Sequence, residues 1–199
     1  MAVLPNFKND TPLMKTIFNL LLLLTSLNAS ANATETIEYK HYVISPRTPH
    51  EIKPELMRHS PIRQGGDSFN GHTVWYVDWK YQTTPSPHGC LLRGSQVNVR
   101  VVHILPVLSE YVTDKQTIEV FDKFNKALTQ HELNHGNHGL SAAREIDETF
   151  KSVQAQPNCR QMSRMLNDIG NSIVQKYAQK DSEYDRVTQN GFTEGAVIY

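Results

Sequence analysis

The chain's 199 residues carry 20 Lys+Arg and 20 Asp+Glu, so the formal net charge is zero, and nine histidines are spread among them. That balance gives no electrostatic reason to expect nucleic acid or an anionic membrane surface as a partner, and no segment carries the basic stripe that phosphate binding needs. A hydrophobic content of 39% excludes a disordered or fibrous chain, and the length is that of one domain with a real core.

The first 33 residues differ in kind from the rest. Lys15 precedes "TIFNLLLLLTSL", and small and polar residues follow, ending in "ANA" at Ala31 to Ala33. A basic start, a short apolar run and a small-x-small site are the parts of a secretory signal peptide, expected over residues 1–33. Met14 opens a stretch that is complete as such a peptide by itself, so it is an alternative start. The apolar run is about 11 residues, roughly half of what spans a bilayer. The expected mature chain, residues 34–199, is one exported, periplasmic or secreted domain with no stable membrane span. Two cysteines, Cys90 and Cys159, fit that compartment. A lone pair in an oxidising space is expected to form one disulfide, closing a loop worth about 4 kcal/mol of chain entropy; a metal-ligand role is the alternative.

"TIEYKHYVIS" (Thr36 to Ser45) alternates and predicts a strand, and "TPHEIKPELMRHSPI" predicts a short helical piece, with Pro49 near its start and Pro61 closing it. A turn-rich stretch leads into "TVWYVDWKYQ", a second strand, and "QVNVRVVHIL" (Gln96 to Leu105) is a third, expected to end at Pro106. The last two form an expected antiparallel pair across the loop "TTPSPHGCLLRGS". From about Asp114 the period turns helical, with Thr113 and Gln116 resembling a capping box. A second helix begins near Asn158, and the tail "DSEYDRVTQNGFTEGAVIY" breaks its period. The expected fold is α+β: a small N-terminal antiparallel sheet followed by long helices, one of them carrying His131-Glu132-Leu133-Asn134-His135, the H-E-x-x-H pattern that makes the expectation zincin-like.

That motif lies in "TQHELNHGNHGL", residues 129 to 140. Phe121, Phe124 and Leu128 form one apolar stripe, and steps of three and four continue it through His131, His135, His138 and Ala142. The histidines therefore face inward, and buried imidazoles need partners that a divalent metal would supply. His131 and His135 stand one turn apart and can reach one ion. Glu132 is rotated by about 100° and projects beside it, placed to take a proton from a water. Zinc is the expected ion; it would lower the pKa of a water toward 7 and polarise a carbonyl.

The exported start, "TVWYVDWKY", the following "GC", the strand ending "ILP", "HELNH", the later "AARE", the second cysteine and "YDRVTQNG" come in one order. Together they resemble the predicted secreted zinc-dependent proteases of Gram-negative bacteria, over most of the chain from about residue 36. The resemblance implies that His131 and His135 are metal ligands and Glu132 the catalytic base. The family's tail often carries a histidine where this chain has Asn190.

The third ligand is open. His138 is on the right face, yet stands roughly 10.5 Å from His131 along an unbroken helix, so it needs a bend that Gly136 and Gly139 could permit. The longer metzincin spacing is not met, since Ser141 occupies that position. Asp185 could fold back from the tail, and Glu145 is a further candidate. Tyr184 is a candidate donor to the oxyanion of peptide hydrolysis, the alternative being a tyrosine packed on the last helix. Trp75, Trp79 and Tyr81 read as sheet core or cleft wall, and His72, His88 and His103 as structural or surface residues. The expected activity is a zinc metallopeptidase acting on a peptide or protein. The rival is a non-enzymatic metal-binding or structural zinc protein, in which Glu132 would be dispensable.

Overall fold

A computed structural model describes residues 33–199. The expected leader, except Ala33, lies outside the described residues. The chain is α+β, with its sheet first and its long helices after it. Strand β1 (Thr34–Ile44) is followed by a 3-10 turn, Pro49–Glu51, and helix α1 (Ile52–His59). A two-stranded ribbon comes next, β2 (Arg63–Gln64) with β3 (Asp67–Ser68). The hairpin β4 (His72–Ser86) and β5 (Gly89–Leu108) leads to α2 (Lys115–Lys151) and α3 (Cys159–Thr188).

The main sheet has the order β1-β5-β4. β4 and β5 pair antiparallel from His72↔Ile104 to Ser86↔Gly89, as the two strong strand patterns predict. β1 joins the other side of β5 in parallel, Thr34↔Asn98 through Ile44↔Leu108, so the sheet is mixed where a wholly antiparallel one was expected. The expected loop between β4 and β5 is instead strand on both sides of a tight turn, with a bulge at Gln82/Thr83. Nor does Pro106 end β5. It lies beyond the β4-paired register, opposite Tyr42 of β1, so no hydrogen bond to β4 misses its absent N–H.

Helix α2 starts on Asp114, not on a Thr113–Gln116 box: its carboxylate accepts from the Thr117 N–H at 2.8 Å and the Thr117 hydroxyl at 2.7 Å. α3 starts on Asn158, whose side chain accepts from the Gln161 N–H. It runs through residues 180–188, where the apolar pattern had faded, and so carries Tyr184 and Asp185 on a helix, not a tail.

Two apolar clusters hold α2 to the sheet. One gathers Val97, Val99 and Val101 of β5 with Ala142, Ile146 and Phe150 of α2 and Met162 and Leu166 of α3. The other gathers Tyr42, Ile44, Ile52 and Leu56 with Phe121, Phe124 and Leu128 of α2. His131, Glu132 and His135 fall on α2 between Leu128 and Leu140, where one cluster gives way to the next. The core thus fixes this turn of helix from both sides without filling the space beside it.

Cys90 and Cys159 form the expected disulfide, tying the start of β5 to the start of α3. Reciprocal backbone hydrogen bonds join Cys90 to Gln156 beside it. Replacing both cysteines by alanine frees a loop with a sequence separation of 69 residues. It should lower the unfolding free energy by about 4 kcal/mol in urea titrations. Asp185 lies about 39 Å further along α3, so the folded variant should keep its metal affinity.

Candidate metal centre

The inward stripe of α2 turns from Phe121, Phe124 and Leu128 to His131 and His135, both buried. The stripe of α3 does the same: Ile173 and Tyr177 give way to Asp181, Tyr184, Asp185 and Thr188. The two polar segments face each other. His131 Nε2 and His135 Nε2 are 3.1 Å apart, and Asp185 Oδ1 lies 3.2 and 3.0 Å from them. These three atoms form a near-equilateral triangle, and one ion could reach all of them. Its edges approach the roughly 3.3 Å between ligands that a tetrahedral ion with 2.0–2.1 Å bonds requires.

The far side of each imidazole decides its chemistry. His131 Nδ1 is 2.8 Å from Glu194 Oε2, and His135 Nδ1 is 2.8 Å from Asp181 Oδ1. An ionised carboxylate only accepts, so each Nδ1 carries the hydrogen and each Nε2 presents a lone pair to the triangle. Two lone pairs and a carboxylate oxygen at 3.0–3.2 Å repel one another unless a cation lies among them. Without a metal that cation must be a proton. Accordingly Asp185 and Glu194 together outweigh burial and hold His131 above its ordinary pKa. Burial likewise opposes ionisation of His135, but Asp181 and Asp185 push it up to about 10. Asp185 is held well below the usual carboxylate range by the two imidazoles, against its own burial.

The structure therefore brings Asp185 together with His131 and His135. α2 is continuous through Gly136 and Gly139, with no break to swing His138 back. His138 Nδ1 instead lies 2.7 Å from Asp181 Oδ1, the oxygen that also takes His135. His135, His138 and Asp181 make a second grouping of metal-binding residue types, but separations of 2.7–2.8 Å are those of hydrogen bonds. Asp181 Oδ2 accepts from the Trp75 indole at 3.2 Å, anchoring this carboxylate to β4. Glu145 lies apart, paired with Lys176 and Tyr177.

Tyr184 lies flat on His131, ring centroids 4.9 Å apart. Its hydroxyl accepts from Asn134 and donates to Glu194, each at 2.8 Å. It thus braces the carboxylate that orients His131. Glu194 itself escapes sequence reasoning, because it follows a chain reversal. Gln189, Asn190 and Gly191 are all left-handed, with φ of 54°, 52° and 81°, and turn the chain back on α2. Gly191 packs so close to His131 that a β-carbon there would meet its ring at 3.1 Å.

Glu132 is 4% exposed, and its Oε2 has no hydrogen-bond partner among the described residues. Burial raises its pKa above the ordinary carboxylate value, against the pull of Thr73, His135 and His131. Gly71 presses on it from the start of β4: a β-carbon at that position would lie 2.7 Å from Oε1. The Thr73 hydroxyl donates to the Glu132 carbonyl at 3.0 Å and lies 2.8 Å from His103 Nδ1. With that hydrogen committed, Thr73 must accept from His103, whose ring is buried. His131, Glu132, His135, Asp181 and Asp185 line a cleft of about 490 Å³ between the β3–β4 segment, α2 and the end of α3, with His72 on its wall.

A family model described as "Bacterial protein of unknown function (DUF922)" matches residues 39–192, most of the chain and all of the triangle. The chain belongs to this family. Its match extends from β1 to Phe192, so the DUF922 region contains His131, Glu132, His135, Asp181 and Asp185 but stops short of Glu194. No curated protein and no solved structure matches the chain.

Two measurements test this centre. Elemental analysis should find one divalent ion per chain. His131→Ala and Asp185→Ala should abolish it, and His138→Ala should retain it. The second is the pH dependence of the metal-free protein. His135 is raised from 6.5 to about 10, so its contribution to stability is full below pH 6.5 and lost as the pH rises towards 10. Asp185 and Asp181 are lowered, so theirs is present above the unfolded carboxylate range and lost in acid. The thermal midpoint should therefore fall between about pH 6 and about pH 10, and a bound metal, which replaces the proton, should flatten that fall.

Proposed function

We propose that the chain is an exported zinc-dependent hydrolase, and specifically a peptidase. The observation that carries this reading is a single one: a buried carboxylate with an unpartnered oxygen, Glu132 Oε2, on the helix turn that supplies two of the three donors of the triangle. A closed structural site has no use for such a group. The donor set, two imidazoles and one carboxylate, suits zinc and would leave it a ligand position for water or substrate. Bound there, zinc would supply a Lewis acid that acidifies a water and polarises a carbonyl.

The residues of the chain do the rest. His131 and His135 are held in one orientation by Glu194 and Asp181. Burial makes Glu132 a stronger base than a solvated carboxylate, with a pKa moved towards the working pH. As the oxygen of water bonds to the carbonyl carbon, Glu132 takes the proton released. It then returns that proton to the leaving amine nitrogen as the C–N bond breaks. Among the described residues β4 is paired on one side only, with β5, and its first residues line the cleft. That free edge supports an extended peptide as the substrate, added as a further strand. Export is supported by the disulfide and by the leader pattern; among the described residues no helix is long and apolar enough to cross a membrane.

Glu132→Gln tests the reading. Zinc-loaded wild type should cleave members of a pool of internally quenched peptides. The variant should bind zinc equally well and lose about 10³-fold in kcat/KM, within the 10²–10⁴ range that a positioned proton-transfer group contributes. Equal activity in the two proteins would contradict the role of Glu132, and inactivity of both would favour a metal-binding protein without catalysis.

A further inference from the structure

His72 stands out from the other histidines of the site. His131, His135 and His138 each hold a carboxylate, and His103 holds Thr73. The His72 side chain is exposed and takes part in no hydrogen bond with the described residues, yet it lines the same cleft as His131, Glu132, His135 and Asp185. Its position is nonetheless fixed, because both chain neighbours are clamped to the catalytic turn of α2. Gly71 abuts the Glu132 carboxylate, and the Thr73 hydroxyl is bonded to the Glu132 carbonyl. The backbone at residue 72 is thus set relative to Glu132, while the ring is left free in the cleft.

We propose that His72 is a catalytic residue of the hydrolysis described above, its ring N–H donating to the substrate carbonyl oxygen as negative charge develops there. The inference rests on the hydrolase reading and adds to it a donor whose backbone is set beside Glu132. Tyr184, the donor expected from sequence, has its hydroxyl hydrogen committed to Glu194. The ring of His72 shares the cleft with the triangle: partial loss of water around it there and the positive charge at His135 lower its pKa, while Asp185 and Asp181 raise it. A neutral imidazole still has one N–H, which is all that the role requires. Such a donor acts mainly in the transition state, so its loss falls on kcat more than on KM.

The test uses the zinc-loaded mature protein, with His72→Ala and His72→Gln. Zinc stoichiometry and affinity should match wild type in both, as should the visible spectrum of the cobalt-substituted proteins. Towards the quenched peptides, His72→Ala should lose about 10²–10³ in kcat with little change in KM, and Gln, which restores an N–H, should recover part of the loss. A phosphinic peptide, which mimics the tetrahedral carbon, should bind His72→Ala more weakly by a similar factor. Acetohydroxamate, which needs only the metal, should bind both proteins alike. Loss of zinc or a changed cobalt spectrum would make His72 a fourth ligand and overturn the assignment, and unchanged kcat and phosphinate binding would overturn it equally. A wild type that binds zinc but neither cleaves any peptide nor binds the phosphinate would bring down the hydrolase reading, and this one with it.

Discussion

The structure turns on where two hydrogens sit. Glu194 and Asp181 each claim the Nδ1 hydrogen of one imidazole, which commits His131 and His135 to present lone pairs to each other and to Asp185. Three such atoms at 3.0–3.2 Å are stable only around a cation. The buttressing carboxylates also raise the basicity of the nitrogens they orient, so the same contacts that create the repulsion strengthen the affinity that relieves it. A site of this kind is built at a cost in the empty state, and the elements around it have to hold it together.

Those elements converge from four parts of the chain. α2 brings the histidines and Glu132, pinned by apolar clusters on either side of them. α3 brings Asp181 and Asp185, and its far end is tied to the sheet by the disulfide. The reversal at residues 189–191 returns Glu194 to His131, and Ile198 beyond it packs into the cluster of Phe124 and Leu128. β4 closes the circuit: Gly71 and Thr73 bear on Glu132, and Trp75 bonds Asp181 while sitting on the α2 backbone at Gly139. Each wall of the cleft thereby positions a group on another wall. Substitutions in the sheet should accordingly be felt at the metal centre, through Asp181 above all.

The part of this that was legible in the sequence follows from helical periodicity. The stripe Phe121, Phe124, Leu128, His131, His135 fixed both the helix and the direction of its histidines, and the strand patterns of β4 and β5 fixed their pairing. Periodicity along one helix also drew attention to His138, whose Nδ1 lies 2.7 Å from Asp181 Oδ1 of the other long helix. Asp181 and Asp185 had a usable signal, since they continue the apolar stripe of α3 by steps of four. The polar run around them reads as a break in the pattern unless a polar site is expected to face it. Glu194 had none, because three consecutive left-handed residues separate it from any periodic element. The parallel placement of β1 was likewise invisible, as alternation reports a strand's faces and not its direction.

The account's central claim is the donor set, and X-ray absorption at the zinc edge of the loaded protein measures it most directly. The prediction is four light-atom ligands, two of them imidazoles by their multiple-scattering signature, with Asp185→Asn altering the shell and His138→Ala leaving it unchanged. A shell of three or more imidazoles, or a protein that takes up no zinc, would contradict the account.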